Sequence, residues 1–335
     1  MRVLLYKSMQ KLFKKSGIGR AYEQQTKALQ LNQVNVVTDK DEPFDVVHFN
    51  TIFKDSYVFL KKCKKNNIPV IVHGHSTKED FLNSFNFSNV MKSYFYKNLE
   101  RMYSNADLII TPTEYAKGLI TSYGYVNCPI VVLSNGIDIN AYQPNPISEK
   151  AFRDYFDLKE QDKVVIGIGL LFERKGLHDF IEVAKSFPQI KFIWFGNLAK
   201  SLQTKKIKDA ISNKSDNVIL PGYIKGDVIK GALTSANLMF FPSYEETEGI
   251  VLLEAMASKL PLLIRDIPIY ESFEHGKTLF KASSNEGFIK QIQAMLSMDL
   301  DEVTNRAYED VKQKDLPIIG KELKRIYEEL LEKRQ

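Results

Sequence analysis

Ten short apolar runs recur along this chain, with longer helix-like segments between them, and that rhythm leaves few folds open. The runs are Val3–Tyr6, Val46–Phe49, Val70–His73, Leu108–Thr111 and Ile130–Leu133, then Val164–Gly169, Phe192–Phe195, Val218–Leu220, Leu238–Phe241 and Leu262–Arg265. Each is nearly unbroken in its apolar residues, as a parallel strand buried on both faces must be. Gly19–Gln30, Ser56–Asn66 and Gly176–Ser186 read as intervening helices. Such alternation predicts open, doubly wound parallel sheets. It pauses once, from Asn135-Gly-Ile-Asp138 to Gln143-Pro-Asn-Pro146, and restarts at Val164. With 335 residues, more than one core usually holds, the pause marks a boundary between two α/β domains. The last segment, Gly320–Arg334, reads as an amphipathic helix with Leu323, Ile326, Tyr327 and Leu330 on one face, free to pack back across that boundary.

Composition narrows the setting. Two cysteines, Cys63 and Cys128, make no disulfide framework, which suits a reducing cytoplasm. The run Val3–Tyr6 is too short for a signal peptide, and no stretch approaches the ~20 apolar residues of a membrane span. Residues 1–150 carry 19 Lys/Arg against 13 Asp/Glu, whereas the remainder carries 27 against 28. The basic half suits an anionic partner, nucleic acid or membrane, or reflects chance in a Lys-rich chain. No recognisable nucleic-acid module accompanies it.

The stretch PSYEETEGIVLLEAMAS, from Pro242 to Ser258, carries the chemistry. A strand runs into a polar loop, then Gly249, then an apolar helix. This is how ligands are held at the C-terminal edge of a parallel sheet. Unpaired amides of Ile250 and Val251 at that helix start favour a phosphate. Glu246 lies in the loop. Glu254 lies one turn inside the helix among apolar residues, where a buried acid needs a polar partner. Two acceptors flanking a pyrophosphate suit a sugar nucleotide. Asp39-Lys-Asp41 imitates a metal-binding pair but lies in a polar loop, and reads as solvated.

Glu246-x7-Glu254 in its Pro-Ser…Gly…Leu-Leu-Glu-Ala-Met-Ala frame resembles the signature of retaining GT-B glycosyltransferases of glycosyltransferase family 4. Ser16-Gly-Ile-Gly19, Asn135-Gly-Ile-Asp138, Arg174-Lys-Gly176 and Asn217-Val-Ile-Leu-Pro-Gly222 resemble, in order, its glycine loop, hinge, basic loop and nucleobase strand-turn. More narrowly, KSGIGRA, VHGHSTKEDFLNSF, PGYIKGD and EETEGIVLLEA resemble bacterial dihexosyldiacylglycerol synthases, which add a second hexose to glucosyldiacylglycerol.

The resemblance implies two Rossmann-like domains facing across a cleft, at residues 1–140 (acceptor and membrane) and 141–312 (nucleotide sugar). A C-terminal helix at 313–335 would cross back to the first domain. It implies a UDP-galactose or UDP-glucose donor, glucosyldiacylglycerol as acceptor, no metal and no other cofactor. It further implies a peripheral position on the cytoplasmic face of a bacterial membrane, with no obligate protein partner. His75, Lys175 and Glu246 would be catalytic. Gly17, Gly19, Arg174, Lys175, Gly222, Tyr223, Glu246, Gly249, Ile250, Val251 and Glu254 would hold the donor. Lys175 would neutralise the departing diphosphate, Glu246 would hold the hexose and Glu254 the ribose. His75 would meet the hexose, while His73 reads as a strand-end core histidine. Front-face attack, with a donor phosphate oxygen taking the acceptor proton, completes the scheme.

One position departs from the family pattern: Leu170 stands where an arginine is usual, and Arg174 is the nearby candidate to replace it. Two other readings stay open, a polysaccharide or soluble acceptor and a sugar-nucleotide-binding regulator that has lost catalysis. The segment Asp80–Tyr103 (Phe81, Leu82, Phe85, Phe87, Met91, Tyr94, Phe95, Tyr96), with Lys61, Lys62, Lys64 and Lys65 nearby, reads as an interfacial surface or as a core helix.

Overall fold

The structure, a computed structural model, describes residues 1–8 and 16–333. Two six-stranded sheets, parallel throughout, follow one another along the chain. The first contains β1 (Arg2–Tyr6), β2 (Asn35–Val37), β3 (Val46–Phe49), β4 (Val70–His73), β5 (Leu108–Thr111) and β6 (Ile130–Val132), in spatial order β2-β1-β3-β4-β5-β6. The second contains β7 (Val164–Ile168), β8 (Lys191–Phe195), β9 (Val218–Gly222), β10 (Leu238–Phe241), β11 (Leu262–Arg265) and β12 (Phe280–Ala282), in order β12-β11-β10-β7-β8-β9. Their central strands are buried on both faces, which is why they read as unbroken apolar runs. Each order reverses beside its first strand, so the crevices open outside the carboxyl ends of β1 and β3 and of β7 and β10.

The chain passes between the two halves twice, and the two passages are stitched together. Ile137 N–H donates to the Lys314 carbonyl (2.9 Å), and Leu316 N–H to that of Ile137 (3.1 Å). From there the C-terminal helix, Leu316–Glu332, crosses back onto the first half and packs along the helix Gly17–Leu31. Gly320 permits this approach: a Cβ there would stand 2.0 Å from the Ala28 carbonyl oxygen. Ile319, Leu323, Ile326 and Tyr327 complete a core with Val3, Leu5, Leu29 and Ile71.

Candidate active site

The segments after β7 and β10 meet at the second crevice. Phe172, Glu173, Arg174 and Lys175 form a short turn after β7 that ends at Gly176, in the left-handed region at φ +75°. Here glycine is required twice over, because a Cβ would stand 2.3 Å from the Pro242 carbonyl oxygen. The close approach lays Lys175 against the loop that follows β10, where its ammonium pairs with the Glu246 carboxylate. Both side chains are largely buried, at 15% and 6% exposure, so the pair is screened little by water. Burial lowers the Lys175 pKa, and Glu246 opposes that shift.

Every residue of that loop from Glu245 to Glu248 is gripped. Tyr115 O–H donates to Glu245 (3.1 Å), Thr113 to the Thr247 carbonyl (2.8 Å), and Thr247 Oγ1 to the His75 carbonyl (3.4 Å). Glu248 accepts from the Ser134 hydroxyl, from the Asn135 backbone N–H (3.1 Å) and from its side-chain amide (2.7 Å). Apart from Thr247, which itself donates to the first half, these donors belong to the first half or the hinge, so the cleft is closed over the loop. Around it Ser243 Oγ, Glu245 Oε1 and Tyr270 Oη are buried and have no hydrogen-bond partner among the described residues. Unsatisfied buried polar atoms suit a polyhydroxylated ligand. Burial, chiefly, pushes the Glu245 carboxyl up to about 7.

Glu254 is 1% exposed and has its polar partner. Arg20 Nη1 stands 2.6 Å from its carboxylate, and Tyr142 O–H donates to it at 2.9 Å. Glu254 lies four residues after Ile250, on the same face of the helix Ile250–Ala257, and its side chain leans toward the helix start. Burial raises its pKa, and the arginine works against that rise. Gly249, at φ +80°, caps this helix start. Gly222, at φ +85°, ends β9 with open space around it, and Tyr223 follows within electrostatic reach of Arg20. Gly17 and Gly19 lie in the first turn of the helix Gly17–Leu31, whose N-cap Ser16 accepts from Gly19 N–H (3.3 Å). Their loop toward β1 includes residues 9–15, outside the described residues.

Arg174 is occupied by the first half. It pairs with Asp80 (2.8 Å) and donates to Ser84 Oγ (2.9 Å) and to the Glu245 carbonyl (3.0 Å). Thr77 caps the short helix Lys78–Phe81 and so presents Asp80 to it. In this closed arrangement Arg174 serves the seam between the halves, and Lys175 is the cation paired to the loop acid.

His75 follows β4, is 8% exposed, and donates Nε2–H to Asn50 Oδ1 (2.7 Å), leaving Nδ1 as an acceptor. Its ring stacks on His73 at 3.8 Å between centroids, and His73 in turn faces His48. Burial keeps all three neutral: His48 and His75 are pushed down to about 3, and His73 well below its ordinary value. The unfolded chain binds protons on these rings below about pH 6.5 and the native one does not, so stability falls as pH drops from 6.5 toward 3. Each ring contributes at most about 1.4 kcal/mol per pH unit. Urea unfolding at pH 7 and pH 5 checks this; equal midpoints would contradict neutral burial.

Of the aromatic segment, Phe81 stacks on Phe95 (3.8 Å), and Phe85 packs against Phe81 and against Phe172 of the second half. Phe87, Val90, Met91 and Tyr94 are exposed. The segment is therefore part core and part surface. The helices Lys54–Lys65 and Ser88–Tyr103 pack together, which places Lys61, Lys62 and Lys65 on the same domain as that surface, while Lys64 pairs with Asp107 (2.5 Å). Among the described residues no cluster of His, Cys, Asp and Glu is arranged to hold a metal, and no helix is long and apolar enough to cross a membrane. Asp39 and Asp41 form an exposed turn.

Sequence reasoning passed over Arg20, Asn50, Tyr115, Tyr142 and Glu248 as site residues. Each meets a partner at least 25 residues away, so local spacing carries no sign of it.

Residues 148–314 match the glycosyl transferases group 1 family and residues 32–141 match glycosyltransferase family 4. Over 332 residues the chain is 49% identical to a processive diacylglycerol α-glucosyltransferase of Acholeplasma laidlawii, covering 99% of both. It is 26% identical over 280 residues to an α-galactosylglucosyldiacylglycerol synthase of Streptococcus pneumoniae, covering 81% of this chain and 74% of the relative. Anabaena HepE, solved with UDP and glucose, superposes with a TM-score of 0.79 at 17% identity, covering 98% of this chain and 100% of HepE. Sucrose-phosphate synthase of Thermosynechococcus elongatus gives 0.83 at 14%, covering 98% and 99%. These two share the GT-B fold. With a near-complete match at 49% identity and both halves recognised, the chain belongs to the family 4 glycosyltransferases.

Proposed function

We propose that the protein transfers glucose from UDP-glucose to a diacylglycerol-linked glucose at a membrane surface, with retention of the α configuration. The observation that carries this reading is the Lys175–Glu246 pair, held at the reversal of the second sheet and met across the cleft by the His75 loop. The relative's name, a diacylglycerol α-glucosyltransferase, supports the sugar, the anomer and the lipid; the UDP-glucose complex of HepE supports the donor.

In this scheme the diphosphate lies at the start of the helix Ile250–Ala257, against the Ile250 and Val251 amides and Lys175. Lys175 neutralises charge as the sugar–oxygen bond breaks. Glu246 then turns from the ammonium alone to the hexose hydroxyls as well. The ribose hydroxyls exchange for Arg20 on Glu254. His75, kept neutral, offers Nδ1 to a hexose hydroxyl. The acceptor hydroxyl attacks from the face the diphosphate leaves, passing its proton to a donor phosphate oxygen. A panel of UDP-glucose, UDP-galactose and UDP-N-acetylglucosamine with glucosyldiacylglycerol in vesicles tests the donor. Transfer from UDP-glucose at least tenfold faster than from the others is expected, and preference for galactose would overturn that choice.

A lipid acceptor keeps its acyl chains in the bilayer, so the first domain must dock there. Phe87, Met91 and Tyr94 supply exposed apolar area, and Lys61, Lys62 and Lys65 each add about 1 kcal/mol near anionic lipid. Phe87→Ser with Met91→Ser should weaken binding to anionic vesicles at unchanged melting temperature. Replacing the three lysines by Gln should remove most of its salt sensitivity. If both variants bind vesicles like the parent, this face is not the membrane surface.

A further inference from the structure

A buried arginine at the end of β11 ties the donor loop to the turn that carries Lys175. Arg265 closes an otherwise apolar strand and is itself 7% exposed. A cation at that depth needs its charge and its N–H groups met. Its guanidinium meets three segments at once. Nε–H donates to the Pro242 carbonyl (3.0 Å), Nη1–H to the Ser283 carbonyl after β12 (3.1 Å), and Nη2–H to Asp179 Oδ2 (2.6 Å). The guanidinium carbon also lies 3.9 Å from the centre of the Tyr244 ring. Tyr244 O–H donates to the same Asp179 oxygen (2.7 Å), with His178 Nε2 at 3.4 Å from the hydroxyl.

These contacts converge where the turn and the loop meet. Asp179 lies in the helix Leu177–Ala184, which begins directly after the Lys175 turn. Pro242 and Tyr244 open the loop that carries Glu246. The Pro242 carbonyl that accepts from Arg265 is the one against which Gly176 presses. Tyr244 N–H donates to the carbonyl of Arg174 (2.7 Å), the neighbour of Lys175. All of these residues belong to the second half, whereas the ties on Glu248 and on the Thr247 carbonyl come from the first half and the hinge.

We propose that Arg265, Asp179 and Tyr244 form a clamp that sets the placement of Lys175 against Glu246. The three are positioning residues, and their role in turnover rests on the transfer reaction proposed above. A planar fork with five N–H groups can serve acceptors on three segments, which the point charge of a lysine cannot. Charge-assisted hydrogen bonds of this kind, shielded from water, hold their geometry well. The clamp acts on the rate, because Lys175 and Glu246 must already be placed when charge develops on the leaving diphosphate.

The test uses Tyr244→Phe and Arg265→Lys in the full chain, with rates normalised to the folded fraction from thermal melts. Tyr244 is 42% exposed and its replacement keeps the ring on the guanidinium, so this variant folds and loses one O–H alone. Its kcat should fall roughly fivefold, the worth of one hydrogen bond, with KM for UDP-glucose within about twofold of the parent. Arg265→Lys keeps a cation beside Asp179 but not both carbonyl contacts, and should be at least as slow. In amide exchange, both variants should speed exchange from Tyr244 to Glu246 and leave β7 as protected as in the parent. A kcat within twofold of the parent in either variant would overturn the clamp. So would a raised KM at unchanged kcat, which reports uniform binding, or loop exchange no faster than in the parent. Exchange needs no turnover, so a parent that transfers no glucose would defeat the proposed function and still leave the clamp decided.

Discussion

Lys175→Ala lowers the turnover rate by about two to three orders of magnitude, the loss seen when one preorganised donor to a developing anion is removed. The ammonium is positioned before the donor arrives, because Gly176 allows the turn to press against Pro242 and Glu246 fixes the side chain. Its removal also strands Glu246 at 6% exposure without its cation, and breaking such a buried pair costs about 3–5 kcal/mol of stability. The melting temperature should therefore fall together with the rate. Lys175→Arg separates the two effects: it keeps the charge and most of the stability, but its broader head does not match the point contact, so the rate stays low. Single-turnover kinetics beside thermal unfolding read both quantities. A Lys175→Ala enzyme within threefold of the parent rate would remove the ammonium from the mechanism.

The two acids of the Glu246-x7-Glu254 signature should fail differently. Glu246→Gln is expected to reduce transfer at least about a hundredfold while UDP affinity changes little, since its carboxylate faces Lys175 and, in the proposed scheme, takes the hexose hydroxyls. Glu254→Ala should instead weaken UDP by about 1.5–3 kcal/mol, as loss of a hydrogen bond to a charged group does. It also leaves Arg20 and the Tyr142 hydroxyl without their shared acceptor, so the two halves lose a tie even without ligand. Calorimetric titration of both variants with UDP decides this. Equal losses of affinity would reject the division of labour.

Ten of the twelve described strands are legible in the sequence, the edge strands β6 and β9 among them. Val70–His73 and Leu238–Phe241 are buried on both faces and carry nothing that reads as a loop. β2 and β12 are not legible, because each of these three-residue edge strands admits a polar residue, Asn35 in one and Lys281 in the other, whereas the equally short β6 is wholly apolar. Glu254 announced itself as an acid in an apolar helix, yet its partner Arg20 lies 234 positions away and meets it only when the domains close. Glu248 read as one more loop acid for the same reason, since its donors come from the hinge. The aromatic segment was ambiguous because composition cannot sort Phe85, packed against Phe172, from Phe87, which is 62% exposed.

The most direct test of the account is the anomeric configuration of the product. The enzyme is incubated with UDP-glucose and glucosyldiacylglycerol in anionic vesicles, and the purified lipid is examined by proton NMR. The account predicts a dihexosyldiacylglycerol whose new linkage is α, formed without added metal. A β linkage, or transfer to soluble acceptors with none to the lipid, would contradict it.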